Sequence, residues 1–265
     1  MSKRHNSIGI KQALRFEWLQ KTVGLLLAGL PEKVIREELR AYLKDKKDNG
    51  SIGERGEVTT NIAVCMLMRI WVSPDKDLIS LRNELLDLMK CVQKYSLVAH
   101  WAMISAAYPF WFNVAKQVGR LLNLQDQTTK KQIIQRIREQ YGDRSAVIRS
   151  AQRVIQSFVS WGVLKESENK KCYERSETMV ISDYKYVLFL VESGLLALPE
   201  TKSSLKLLLN SPSFFPFSHP SITGDFIAQN AKRINVEGYG PGDEMLKLKD
   251  AKNSDHQAVN LKVNK

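Results

Sequence analysis

The chain has 265 residues, 43% hydrophobic and 26% charged, and its 40 Lys and Arg oppose 28 Asp and Glu for a formal charge of +12. That apolar content supports a buried core and excludes wholesale disorder, while fourteen glycines and eight prolines are too few for a collagen-like or low-complexity chain. The length accommodates one or two domains, and the cationic surplus favours a polyanionic partner or an acidic membrane surface.

Three cysteines, Cys65, Cys91 and Cys172, lie far apart with no CxxC pair. This excludes a disulfide framework and a cysteine-based zinc site, and suits a reducing cytoplasm. Lys11, Arg15, Glu17 and Lys21 break up the apolar residues near the N-terminus, so no signal core develops.

In chain order, residues 1–124 read as a helical domain. Residues 9–28 place Ile10, Leu14, Trp18, Val23, Leu26 and Leu27 at near-helical spacing, and Gly29 ends the run. Pro31 opens a helix over 32–44 with Val34, Ile35, Leu39 and Leu43 as its stripe. The charged, Gly-containing run 45–56 is a loop, and a buried helix follows over 58–72. Ser73-Pro74-Asp75 then has the composition of a helix start, with Ser73 as cap, for a helix reaching residue 93.

Residues 95–115 contain no formal charge over 21 positions, about the length of a bilayer span. Ser96, His100, Ser105 and Asn113 make the run polar in places and Pro109 divides it. The pattern therefore predicts two buried helices meeting at the proline, ending near Leu124, and no membrane partner. Met66, Met68, Trp71, Trp101 and Trp111 sit at helical spacing and read as core.

From Gln127 to Ile181 the order of elements becomes specific. Thr129 and Gln132 form a T-x-x-Q capping box that opens a helix over 130–141, with Ile133, Ile134 and Ile137 facing inward. Gly142 and a short turn separate it from a helix over 146–161, the spacing of a helix-turn-helix unit. In the second helix Val147, Ala151, Val154, Ile155, Phe158 and Val159 share one face. Arg149, Gln152, Arg153 and Gln156 share the other, with Arg144 and Ser145 at its start. Long cations and amides are the side chains that base edges and phosphates accept. A strand over 162–167, a turn at 168–171 and a return strand over 172–176 follow, and Met179-Val180-Ile181 is a candidate third strand. Residues 128–176 hold eleven Lys and Arg against five acids, half of the chain's net charge in under a fifth of its length.

Helix, turn, helix and basic hairpin resemble the winged helix-turn-helix superfamily of DNA-binding domains over residues 125–181, in element order and pattern. The resemblance implies that Arg144, Ser145, Arg149, Gln152 and Arg153 face the major groove. It also implies that Lys130 and Lys131 contribute to the DNA surface, with Lys170, Lys171 and Arg175 as wing contacts to backbone or minor groove. Glu166, Glu168 and Glu174 on the hairpin depart from that pattern, because they would repel phosphate. Together with the helical N-terminal part, the arrangement is loosely similar to small DNA-binding accessory proteins of bacterial phage-defence (BREX) operons.

Residues 182–249 read as a C-terminal helical extension. Asp183 caps a helix to about Leu198, a short helix covers 202–209, and the Pro- and Phe-rich run 211–221 is a loop laid on a core. A last helix covers 222–231, the glycines at 238–242 turn a hairpin, and the polar residues from Asp250 form a flexible tail.

His5, His100, His219 and His256 show no metal or dyad spacing, and HExxH, GxSxG and phosphate-loop motifs are absent from the sequence. His100 reads as a satisfied core histidine. The sequence therefore predicts a mainly α protein, cytoplasmic, without cofactor, metal or catalytic residues. Duplex DNA is the expected partner, and the N-terminal helices are a scaffold or a platform for a protein partner. The competing expectation is a structural subunit whose basic face docks on an acidic protein or on RNA.

Overall fold

The structure is a computed structural model that describes residues 3–47, 51–167, 172–238 and 243–249. It is mainly helical, with eleven α-helices and three small separate sheets among those residues.

The N-terminal part contains α1 (Phe16–Leu27), α2 (Glu32–Leu43), α3 (Glu57–Leu67), α4 (Ile79–Cys91), α5 (Ser96–Ala107) and α6 (Pro109–Leu124). A π-helical turn, Met68–Val72, extends α3, and a 3-10 turn, Lys76–Leu78, leads into α4. Two expectations for this part need correcting. The first helix starts at Phe16, not at Gly9: Gly9 adopts φ +64° and residues 10–15 are irregular, with a bend at Gln12. Ile10 and Leu14 are buried as expected, because the segment is captured by a distant helix described below. Ser73 does not cap α4; its hydroxyl donates to Glu32 Oε1 at 3.3 Å, and Asp75 precedes the 3-10 turn instead.

The central part runs β1 (Gln127–Thr129), α7 (Lys130–Tyr141), α8 (Ser145–Ser160), β2 (Leu164–Glu166) and β3 (Cys172–Arg175). The three strands form one antiparallel sheet in the order β1-β3-β2. The third strand is thus β1, ahead of the two helices, and not residues 179–181. Those residues form β4 (Met179–Val180), which turns away to pair with a C-terminal strand.

The C-terminal part adds α9 (Tyr184–Ala197), β5 (Lys202–Ser204), α10 (Leu205–Leu209), β6 (Phe217–Ser218), α11 (Gly224–Asn230), β7 (Ile234–Gly238) and β8 (Glu244–Leu248). Asp183 caps α9 by accepting from the Lys185 backbone N–H at 2.9 Å. The helix expected over 202–209 is strand and then helix, since residues 202–204 pair with β8 and Ser204 caps α10. Strand β6 pairs in parallel with β4, and β7 pairs with β8 as an antiparallel hairpin. The turn at 239–242 and the stretch from residue 250 lie outside the described residues.

Buried side chains from all three parts join one contiguous core. Helix α5 is buried on every side from Val98 to Ala107 and packs against the equally buried α9, as expected for helices apolar all round. Trp101 of α5 sits at the centre. Its ring stacks on Phe158 of α8 at 5.1 Å and meets Trp111, Trp161, Phe215 and Phe217 edge-on, while its indole N–H donates to the Ser213 carbonyl. The Phe-rich run is therefore laid on the core, and it fixes the inner face of α8. Met66, Met68, Trp71 and Trp111 are core as well. Among the described residues no helix is long and apolar enough to cross a membrane.

Candidate nucleic-acid interface

Helix α7 begins where the sequence places it. Thr129 Oγ1 accepts from the Gln132 backbone N–H at 3.2 Å, and Gln132 Oε1 accepts from the Thr129 N–H at 2.8 Å. The box satisfies donors that a helix start leaves unpaired. Lys130 and Lys131 occupy the exposed first turn, next to the positive end of the helix dipole, and that turn holds no acid. Cations placed there are unfavourable for the helix alone and are relieved by an anion. Gly142, at φ +80°, ends α7, and Arg138 Nε lies 3.0 Å from Asp143 in the connection to α8. Tyr141 is tied down by Asn113 of α6, whose amide donates to its hydroxyl at 2.6 Å.

Helix α8 buries Val147, Ala151, Val154, Ile155 and Phe158 against this frame and exposes Arg149 and Gln156, with Gln152 half-buried between them. None of its sixteen residues is acidic. Arg144 and Ser145 are exposed at its N-terminus. Their local bonds are long: Arg149 donates to Ser145 Oγ at 3.2 Å and Arg144 to the Tyr141 carbonyl at 3.4 Å. Both guanidiniums keep most of their five donors for an external acceptor. Arg153 stands at the edge of the face, half-buried and already partnered.

One flank of α8 is bonded by the irregular residues 10–15, which form a strap. Ser150 Oγ donates to the Ile10 carbonyl at 2.7 Å, Ser157 Oγ accepts from the Leu14 N–H at 2.9 Å, and Trp161 Nε1 donates to the Leu14 carbonyl at 2.8 Å. Ahead of it Arg4 is buried and bonded to Asp77, and His5 bonds the Leu196 carbonyl. Arg149 stays exposed with the strap in place, and Lys11 of the strap is exposed as well. Sequence reasoning missed the strap because the apolar spacing of Ile10 and Leu14 mimics a helix, and the partner serines lie some 140 residues away.

The hairpin has two chemically different sides. Thr128, Leu164 and Tyr173 face inward and are buried, and burial raises the Tyr173 hydroxyl pKa, with Glu166 adding to the effect. Arg175 shares that side and donates to Asn123 of α6 at 2.7 Å, which draws it towards the body of the protein and away from a wing position. On the other side Gln127, Lys165 and Glu174 are register neighbours, and the Gln127 amide donates to Glu174 at 2.7 Å. Glu174 is thus absorbed by its own sheet. Lys170, Lys171 and Glu168 lie outside the described residues.

Comparison with known protein families, with characterised proteins and with solved structures finds no match. Among the described residues no group of three or more His, Cys, Asp or Glu is placed to hold a metal ion. His100 is a core residue, though not a satisfied one. Its ring lies edge-on between Phe16 and Trp71, neither nitrogen meets a partner among the described residues, and burial lowers its pKa to about 3.

Proposed function

We propose that residues 125–181 act as a winged helix that binds duplex DNA without catalysing a reaction, with α8 lying in the major groove and the β2–β3 hairpin as the wing. The observation that carries this reading is the open, acid-free face of α8, where Arg149, Gln152 and Gln156 follow Arg144 and Ser145. The sequence α6-β1-α7-α8-β2-β3, with its sheet ordered β1-β3-β2, supplies the support such a helix needs. Arg149 and Gln152 suit base edges, since guanidinium matches guanine and amide matches adenine in bidentate fashion. Arg144, Lys130 and Lys131 suit phosphates, which position the protein without reading sequence. In the same scheme the winged-helix resemblance assigns backbone contacts to Lys170 and Lys171, which lie outside the described residues. The N-terminal helices serve as scaffold, in the accessory role that the resemblance to phage-defence proteins implies.

Fluorescence anisotropy with a labelled duplex at two salt concentrations tests the proposal. Affinity should fall steeply as salt rises, because each neutralised phosphate releases counterions. Arg149→Ala should cost about 1–3 kcal/mol if the side chain reads a base. Unchanged duplex binding on Arg149→Ala would remove the assignment of α8 as the recognition helix, and a protein partner that survives nuclease treatment while no duplex binds would transfer this face to the acidic-protein reading.

A further inference from the structure

A second concentration of positive charge lies on the other flank of α7. Lys116 and Arg120 stand one turn apart on α6, a spacing that brings their Cβ atoms to about 6 Å. Three adjoining cavities open onto Arg120, and two of them onto Lys116 as well. One, of about 370 Å³, lies between α6 and α7 and is walled by Lys116, Arg120, Arg136, Asn113 and Gln117. The next, of about 390 Å³, continues past Arg120 and Arg136 to Leu124 and Pro212. The third, of about 340 Å³, leads from Lys116 and Arg120 to Ser203, Asn210 and Ser211.

The charges in this groove are not balanced from within. Glu139 is the one acid lining any of the three cavities, and it already faces Arg136 at 3.5 Å. The side chains of Lys116 and Arg120 have no acid or hydrogen-bond partner among the described residues. Lys116 is half-buried, and its pKa is lowered by that burial and then by Arg120. Desolvating one cation beside another, with no anion in reach, costs free energy that nothing in the fold returns. Hydroxyls and amides at both ends of the groove, from Asn113 to Ser211, add neutral hydrogen-bonding groups around the cationic centre.

We infer that the groove between α6 and α7 is a polyphosphate-binding site, distinct from the α8 face, in which Lys116 and Arg120 grip adjacent phosphoryl groups and Arg136 closes the outer side. The flexible ammonium acts as a point charge and the guanidinium as a two-toothed donor, the usual division of labour around phosphate. The volume suits the di- or triphosphate of a nucleotide, or free pyrophosphate, better than a duplex. The two surfaces share no lining residue: Arg136 and Gln140 of α7 line the groove, whereas Arg138 faces Asp143.

Calorimetric titration of the full chain with pyrophosphate, and separately with a nucleoside triphosphate, at low salt tests the inference. Pyrophosphate should bind, and Arg120→Gln and Lys116→Gln should each weaken it about tenfold or more, with circular dichroism spectra showing both variants folded and neither melting below wild type. A triphosphate that binds no better than pyrophosphate would identify the phosphates alone as the recognised group. Arg149→Ala should leave pyrophosphate binding intact, and Arg120→Gln should leave duplex binding intact. The inference is overturned if the folded wild type binds no pyrophosphate, if both variants bind it as wild type does, or if Arg120→Gln weakens the duplex as much as Arg149→Ala. Failure of the duplex reading would show in anisotropy while the calorimetry still registers pyrophosphate, so the two outcomes are separable.

Discussion

His100 makes the protein sensitive to acid by a route that can be isolated. Its folded pKa of about 3 lies far below the ordinary 6.5, because the imidazole is enclosed by Phe16 and Trp71 and meets no acceptor that would stabilise a charge. The unfolded chain therefore binds a proton that the folded chain refuses. Stability contributed by this group is complete above pH 6.5 and is lost as pH falls from 6.5 towards 3. Lowering the pH from about 7.5 to about 5 should remove about 2 kcal/mol through His100 alone. Urea unfolding at both pH values, for wild type and His100→Leu, measures it. The leucine variant, close in volume and unable to charge, should show a loss smaller by about 2 kcal/mol, and His100→Phe provides a second apolar replacement. An identical pH dependence in wild type and both variants, or an imidazole NMR titration near 6.5, would refute the reasoning.

Other expectations follow from single contacts. Gly119→Ala should destabilise by about 2 kcal/mol or more in thermal melts, since a Cβ there would land on the Pro212 carbonyl oxygen and part α6 from the Phe-rich loop. Arg233 holds Glu192 through two bonds, at 2.6 and 2.9 Å, and Glu84 through a third at 2.7 Å; Arg233→Ala should cost about 3 kcal/mol in urea unfolding because Glu192 is left buried and unpaired. Arg175→Ala should alter duplex affinity far less than Arg149→Ala in the same anisotropy assay, because Arg175 is committed to Asn123.

What was legible in the sequence was local. The Thr129–Gln132 box and the glycine at 142 announce their own geometry within a few residues, and both ends of α7 are where they indicate. Pro109 likewise marks the break between α5 and α6. The misreadings arose where a distant partner overrode a local pattern. Ile10 and Leu14 carry helical spacing, yet Ser150, Ser157 and Trp161 bond the backbone of a non-helical segment. Residues 202–204 continue an amphipathic pattern, yet β8 recruits them as a strand. The basic face of α8 could be found because one helix carries all of it. Lys116 and Arg120 were equally visible as an i, i+4 pair, but the groove they line exists because α7 and Pro212 form its walls, and no short window contains all three.

The strap over α8 bears on how the molecule can be taken apart. A fragment restricted to residues 125–181 would retain helices, turn and hairpin, but it would leave Ser150, Ser157 and the Trp161 indole without the backbone groups they engage. The apolar trough that receives Ile10 and Leu14 would be opened to water at the same time. Lifted out of its chain, the central segment would gain a sticky flank beside its cationic ridge. Its clean presentation to a partner is thus a property of the intact protein, secured by residues synthesised long before it.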